Sequence, residues 1–540
     1  MTTINDLPNE ILLMIFQKVK AKKQLTRTCK RWNELIVNFL FLSIDLSSEE
    51  RIRKFMDITF TRSYGQLDIY GVMLVRSDFD WTDSSRQLEN AHAKRVRYES
   101  DPYVLLRKCL QVVRQYEGIV EYMSLTFGPI MDKSLMGFLP RSDGPSLLES
   151  LVIRFESWDN IKSEDWIIDR MEFISEEGLK EISEMPNLKR LEYDDNRSKG
   201  DRTARRKFFD AIARKAKAIT EIYLSCNYYA CFSDFRIIRS FSTQLQDLSC
   251  TVYPIFVKDF LQLAFPEVKS LYLDFRPCTT MPDPGRFFEN AKSLVDLNVA
   301  NINSDEFFRQ GVYCSSATVE WLTITGNQQI PMDGLQGLIG LKELKLYGYV
   351  GSEVQHAVPH STSLEKLVIE RCTSGFSFYG VLAESVPHIT ELHITEDAAL
   401  NDECLRVICT TMPNLRRFKL NLDLFLRDPV TDRGLHYIGN LRQLEYLSLE
   451  CFDDADLIMG RNDLIGFCWA PLLWASEIHL NGFPMINVQN VLDFLLNPNL
   501  QSLSLEQCGR NVNMIETVRK IKQLMAVSRP LPHLEIADFW

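Results

Sequence analysis

A phrase of three apolar residues recurs along most of this 540-residue chain. It runs apolar, two open positions, apolar, one open position, apolar. Leu364-Leu367-Ile369 is a clear instance, and Leu188-Leu191-Tyr193, Ile219-Ile222-Leu224, Val268-Leu271-Leu273, Leu341-Leu344-Leu346, Leu444-Leu447-Leu449 and Leu500-Leu503-Leu505 repeat it. From Leu188 onward the starts are 22 to 31 residues apart. A fixed phrase at such a spacing marks a repeat array. Alternating apolar residues turn one face of a short strand inward. One such strand cannot bury its apolar side alone, so neighbours must stack into a parallel sheet over a continuous core. The rest of each period must return on the other side, and several returns read as helix. Asn401-Asp402-Glu403-Cys404-Leu405-Arg406-Val407-Ile408 and Thr431-Asp432-Arg433-Gly434-Leu435-His436-Tyr437-Ile438 each begin with a capping residue. Ser175 to Ile182 has the same form.

These segments resemble leucine-rich repeats of the longer, cysteine-containing kind. Val430-Thr431-Asp432-Arg433-Gly434-Leu435 carries the signature best, and Cys372, Cys451 and Cys508 lie just past their strands, where that kind places its cysteine. The resemblance implies an α/β horseshoe with an inner parallel sheet and outer helices. It implies a binding surface and no particular ligand.

Composition narrows the class. A chain of this length exceeds one closed core, which fits a solenoid. The net charge of −11 argues against nucleic acid or an anionic membrane as partner. No apolar run reaches the roughly 18 residues of a membrane span. Met1 to Glu10 lacks a basic-then-apolar leader, so secretion is not expected. The thirteen cysteines are scattered, with no C-x-x-C and no histidine at ligand spacing. Buried thiols in a reducing cytoplasmic or nuclear compartment are therefore expected, with no metal.

Residues 4 to 40 depart from the repeat. Asp6 is a candidate helix cap, and Ile11, Leu12, Ile15, Phe16 and Val19 form a helical stripe. A second stripe runs Leu25, Cys29, Trp32, Leu35 and Ile36. A plain helical cap for the array would account for both. The string Leu7-Pro8-x-Glu10-Ile11-Leu12-x-x-Ile15-Phe16, followed by Cys29-Lys30-Arg31-Trp32-Asn33-x-Leu35, resembles an F-box. By that resemblance Leu7, Pro8, Ile11, Leu12, Ile15, Phe16 and Trp32 engage a Skp-type adaptor and, through it, a cullin–RING ubiquitin ligase. The middle segment Lys20-Ala21-Lys22-Lys23-Gln24-Leu25 is shorter and more basic than the family's acidic, leucine-rich one.

The expected organisation is an F-box at 1–40 and a solenoid of about 18 repeats over 41–540, counting weaker phrases that start at Phe41, Tyr64, Ala93, Val120 and Leu148. The long gap before Leu188 holds Trp158 and Trp166, either in a partner-touching loop or in a tolerated insertion. The proline-rich stretch from Arg276 to Gly285 reads as an edge loop. Arg197 to Lys217 is densely basic. It is either a dock for an acidic partner or a phosphate, or a solvated outer helix with Phe208, Phe209 and Ile212 facing in.

No phosphate loop, nucleophile elbow or zinc-protease motif occurs. No paired cysteine and histidine ligands of a RING occur either, so the chain is not expected to be an enzyme. The outward positions of the strand phrases are rich in acids, with twelve acidic against five basic residues from 188 to 506. Tyr223, Tyr272, Trp321, Tyr347 and Tyr446 are interleaved with Asp274, Glu343, Glu370 and Glu391 on this face, which is the expected substrate surface. A lysine- or arginine-rich protein substrate would suit it. No basic floor for an inositol phosphate is seen, so no cofactor is expected. Together these readings imply the substrate receptor of a Skp–cullin–F-box ligase. The alternative is a repeat scaffold whose first helices only cap the array, and adaptor binding separates the two.

Overall fold

A computed structural model describes residues 41–45, 66–70, 122–127, 148–155, 184–195, 202–226 and 232–276, most of 284–451 and of 474–508, and 533–537. The chain divides into two compact units, Met1–Thr251 and Val252–Trp540.

In the first unit β1 (Phe41–Asp45) and β2 (Gln66–Tyr70) pair in parallel, Phe41 opposite Gln66, as a sheet of their own. The repeat spacing alone did not set this sheet apart. The phrase at Ala93, the helix expected at Ser175 and the two tryptophans at 158 and 166 lie outside the described residues. Next come β3 (Tyr122–Phe127), β4 (Ser150–Phe155), β5 (Arg190–Asp195), β6 (Glu221–Cys226) and β7 (Asp247–Val252), in which each strand from β4 on is parallel to the one before.

The second unit continues the pattern with β8 (Ser270–Phe275), β9 (Asp296–Ala300), β10 (Trp321–Thr325), β11 (Glu343–Tyr347), β12 (Lys366–Glu370) and β13 (Glu391–Thr395). Then follow β14 (Arg417–Leu422), β15 (Tyr446–Cys451), β16 (Glu477–Asn481), β17 (Ser502–Glu506) and β18 (His533–Ala537). Each strand pairs in parallel with its successor in sequence, as a stacked repeat requires.

Every strand from β5 onward starts two residues after the first apolar residue of its phrase. That first residue, such as Leu341 or Leu364, is buried below the strand. The next two backbone N–H groups then converge on one carbonyl of the preceding repeat. Glu365 and Lys366 both donate to the Lys342 oxygen, at 2.8 and 3.0 Å. Lys342 and Glu343 do the same to Glu320. The phrase therefore sets the register as well as the burial. Leu344, Leu346, Leu367 and Ile369 are almost wholly buried, as alternation demands. Burying side chains of this size contributes about 1.5 to 3 kcal/mol each.

The returns are less uniform than the strands. Arg202–Lys215 is a full helix with Phe208, Phe209 and Ile212 buried, so the basic stretch has the packed inner stripe expected of an outer helix. Other returns are much shorter. Pro254–Phe256 is a single 3-10 turn followed by one helical turn, Val257–Phe260. Phe307–Val312 is one π turn. Aromatic packing fills these places instead: Phe260, Phe265, Phe287, Phe288 and Phe307 form a chain of ring contacts 5.1 to 5.7 Å between centroids. The helix Gly285–Asn290 begins directly after Pro284 and so takes up the last residue of the expected edge loop.

The residue following many strands has a positive φ: Asn301 (59°), Gly326 (146°), Gly348 (64°), Arg371 (51°), Glu396 (51°) and Gly482 (80°). At Asn301, Gly326, Gly348, Arg371 and Gly482 the N–H donates to a carbonyl at the end of the next strand, as in Gly348 to Glu370 (2.8 Å) and Arg371 to Thr395 (2.9 Å). The turn that lifts the chain off the sheet is thus tied to the following repeat. Cysteine serves the same edge. The Cys372 thiol lies 3.6 Å from the Leu346 oxygen, and Cys508 lies 3.4 Å from that of Leu480. Cys250, Cys372, Cys404, Cys409, Cys451 and Cys508 are buried free thiols. Burial pushes the Cys404 and Cys508 thiols up to about 11, well away from the reactive thiolate.

Candidate functional site

Pairing of strands in matched register turns the outward side chains into rows that cross the sheet. In the second unit the first row reads Ser270, Asp296, Trp321, Glu343, Lys366, Glu391, Arg417, Tyr446 and Glu477. The second reads Tyr272, Asn298, Thr323, Lys345, Val368, His393, Lys419, Ser448 and His479. The third begins Asp274, Ala300, Thr325, Tyr347 and Glu370. Neighbours in a row are about 4.8 Å apart across the sheet. Tyr272, Asp274, Trp321, Glu343, Tyr347, Glu370, Glu391 and Tyr446 therefore share one face, as expected.

This face is not a bare acidic field. Lys366 sits between two carboxylates, 3.5 Å from Glu343 and 3.3 Å from Glu391. Lys345 reaches Glu343 at 3.0 Å, and Lys419 reaches Glu450 at 2.7 Å. His393 lies 2.9 Å from Glu391. Its pKa is nevertheless held below the usual value, chiefly by burial, with Lys366, Lys419 and Arg417 acting in the same direction. Asp274 accepts from Asn301 at 2.7 Å and lies 3.8 Å from Arg276. Several of the acids counted along the chain are therefore paired within the protein. Half-exposed pairs of this kind contribute little stability.

The aromatic residues fall into two groups. Tyr347 is engaged, since Arg371 donates to its hydroxyl at 2.7 Å and also pairs with Glu396 at 2.8 Å. Tyr446 lies under the Arg417 guanidinium at 4.7 Å. Tyr272 and Trp321, by contrast, are 38% and 41% exposed. They border a depression of about 340 Å³ lined also by Ser270, Asp296, Asn298, Thr323, Glu343 and Lys345.

In the first unit, Tyr223 donates its hydroxyl hydrogen bond to Asp247 at 2.8 Å and lies under Arg190 at 4.5 Å. Burial pushes the Tyr223 hydroxyl far up, aided by Asp247 and Glu221. Arg190 also contacts Glu192 at 3.0 Å. The basic stretch contributes one buried member. Arg205 makes a two-pronged pair with Asp234, 2.8 Å at Nε and 2.6 Å at Nη2, while stacking over Tyr193 at 4.7 Å.

The adaptor residues Leu7, Pro8, Ile11, Leu12, Ile15, Phe16 and Trp32 lie outside the described residues. Reading the sequence alone missed Arg276, Arg371 and His393 as partners of the face, and Asn298 in its depression. Arg276 and Arg371 each directly follow a strand, the one local sign of their role. Among the described residues no group of metal-ligating side chains occurs, and no helix is long and apolar enough to cross a membrane.

An F-box-like family model matches residues 4–47. Comparison with curated proteins returns no relative. Among solved structures the fold is similar to an LRR protein of Leptospira interrogans, at 14% identity and a TM-score of 0.33, covering 80% of this chain and 92% of that one. By that family match and by its own stacked parallel strands, the chain carries an F-box-like segment at residues 4–47, followed by a leucine-rich-repeat solenoid of α/β class.

Proposed function

We propose that the protein is the substrate-recognition subunit of a Skp–cullin–F-box ubiquitin ligase, without catalytic chemistry of its own. The observation that carries this reading is an F-box-like segment at residues 4–47 preceding a long array of parallel repeat strands. One part suits an adaptor and the other a substrate, so the protein would act by proximity. It would hold a substrate lysine near a charged ubiquitin-conjugating enzyme, turning a bimolecular search into a local one. The proposed substrate surface is the outward face, with Tyr272, Asp274, Trp321, Glu343, Tyr347, Glu370, Glu391 and Tyr446 in the second unit and Tyr223 in the first. The proposed adaptor surface comprises Leu7, Pro8, Ile11, Leu12, Ile15, Phe16 and Trp32. The proposed setting is the cytoplasm or nucleus, supported by the free thiols of Cys250, Cys372, Cys404, Cys409, Cys451 and Cys508.

The test is co-purification with a Skp-type adaptor. The intact chain should retain the adaptor at micromolar concentration. Leu7→Ala with Pro8→Ala, or Ile11→Asp, should abolish retention while the repeats stay folded. An intact chain that binds no adaptor leaves only the scaffold reading.

A further inference from the structure

We infer that the depression between Tyr272 and Trp321 is a subsite for one arginine side chain of a protein partner. This rests on the reading of the outward face as the substrate surface and names the chemistry of one position on it.

Three observations meet there. The first is shape. Tyr272 on β8 and Trp321 on β10 stand two strands apart, with β9 between them. At the usual strand spacing this puts them roughly 9.6 Å apart across the sheet, and their two-residue offset adds roughly 6.6 Å along the strands, so the rings flank the depression at opposite corners. The volume of about 340 Å³ falls at the small end of the ligand-site range, about 300 to 1,000 Å³. The second is exposure. Aromatic residues elsewhere on the face are covered: Tyr347 by Arg371, Tyr446 by Arg417 and, in the first unit, Tyr223 by Arg190. In each of these cases the cover is a guanidinium belonging to the chain itself. Among the aromatic residues of β5 to β17 whose side chains are described, Tyr272 and Trp321 are the exposed ones. Trp321 meets only an ammonium, Lys342, at 5.9 Å.

The third observation is polarity. The lining carries two carboxylates, Asp296 and Glu343, against one amine, Lys345. Asn298, opposite Tyr272, has its Oδ1 buried with no hydrogen-bond partner. A buried acceptor in that condition is a standing cost that an incoming N–H removes. The occupant should therefore be flat, cationic and rich in donors. A guanidinium meets all three requirements: it stacks on aromatic faces, and its donors reach several acceptors at once. An ammonium is neither flat nor forked, and an anion is repelled by the lining carboxylates.

The test uses the full chain and ligand-observed saturation-transfer NMR, with Nα-acetyl-arginine amide, Nα-acetyl-lysine amide and Nα-acetyl-norleucine amide as probes. The arginine probe should give the strongest transfer, several-fold above norleucine. That signal should fall at least fivefold in Trp321→Ala, Tyr272→Leu and Asp296→Asn. It should persist in Trp474→Ala, which removes an exposed indole outside the depression. Equal transfer to norleucine or lysine in the unaltered chain overturns the assignment, whatever the variants do. So does an arginine signal that survives Trp321→Ala. Adaptor retention is measured on the same preparations. Retention without arginine binding sinks the subsite alone, whereas arginine binding without retention sinks the receptor reading alone.

Discussion

Asp402 holds Thr431, 29 residues further along, by both of the groups Thr431 has to donate. One carboxylate oxygen accepts the Thr431 backbone N–H at 2.6 Å, and the other accepts its hydroxyl. Thr431 is itself the cap of the next helix, its hydroxyl oxygen accepting from Arg433 N–H at 3.2 Å. Asp402 in turn sits directly after Asn401, which caps the earlier helix by accepting from Glu403 and Cys404. The later cap is thus tied to the repeat before it. Gly434 follows from the same contact, because a Cβ there would overlap the Asp402 side chain. The Thr-Asp-x-Gly-Leu signature is the trace of two neighbouring repeats in contact.

Gly434→Ala should destabilise the second unit, by more than the roughly 1 kcal/mol that separates glycine from alanine in ordinary helix positions. Asp402→Ala should cost about 1 to 3 kcal/mol by leaving the Thr431 donors unpaired. Chemical denaturation of both single variants and the double variant checks this. Combining them should cost less than the sum, since Asp402→Ala vacates the space that the new methyl needs.

Arg205 and Asp234 should behave as a buried pair whose halves need each other. Arg205→Ala leaves a buried carboxylate without its partner and should cost about 3 to 5 kcal/mol. Arg205→Met with Asp234→Leu should recover much of that loss, because neither charge is then stranded. Equal melting curves for the single and double variants would show that the charge has no part in the effect.

His393 should make the second unit sensitive to mild acid. Its folded pKa lies below the usual value of 6.5, chiefly through burial and then through Lys366, Lys419 and Arg417, against the opposing pull of Glu391. A base with a depressed folded pKa is held neutral by the fold, so the unfolded chain binds the extra proton. Its contribution is fully present above about 6.5 and is lost as pH falls toward the folded value. His393→Gln should therefore show a smaller fall in melting temperature between pH 7.5 and 5.5 than the unaltered protein. Parallel curves would assign the acid sensitivity elsewhere.

Leu344→Ala and Leu392→Ala should each cost about 2 to 5 kcal/mol, because both side chains are fully buried under the sheet. Hydrogen exchange should show protection lost in the strands on either side as well, since each repeat contacts only its neighbours. Damage confined to a single strand would contradict that coupling.

The strands and caps were legible because their cause is local. Leu344 and Leu346 alternate within one phrase, and Thr431 precedes the helix that it caps. The state of the outward face was not legible, because its partners meet through register. Lys366 pairs with Glu343 and Glu391 from strands on either side, and a count of charges cannot show which of them meet. The positive-φ turn was legible only in part. Glycine at 326, 348 and 482 hints at it, whereas Arg371 and Glu396 adopt the same backbone for reasons outside their own segment. The depression escaped notice because Tyr272 and Trp321 are separated by a whole intervening repeat.

Matched register has a consequence for how such a chain changes over generations. Each strand meets the next with no sideways slip, as in Leu344 opposite Leu367 and Leu367 opposite Leu392. Duplicating or deleting one whole period, such as residues 364–388, would move every later outward residue by one strand spacing, about 4.8 Å, and leave its row unchanged. The distance between two contact points on this face is therefore quantised. Inheritance can lengthen or shorten the ruler one graduation at a time, without redrawing the marks on it.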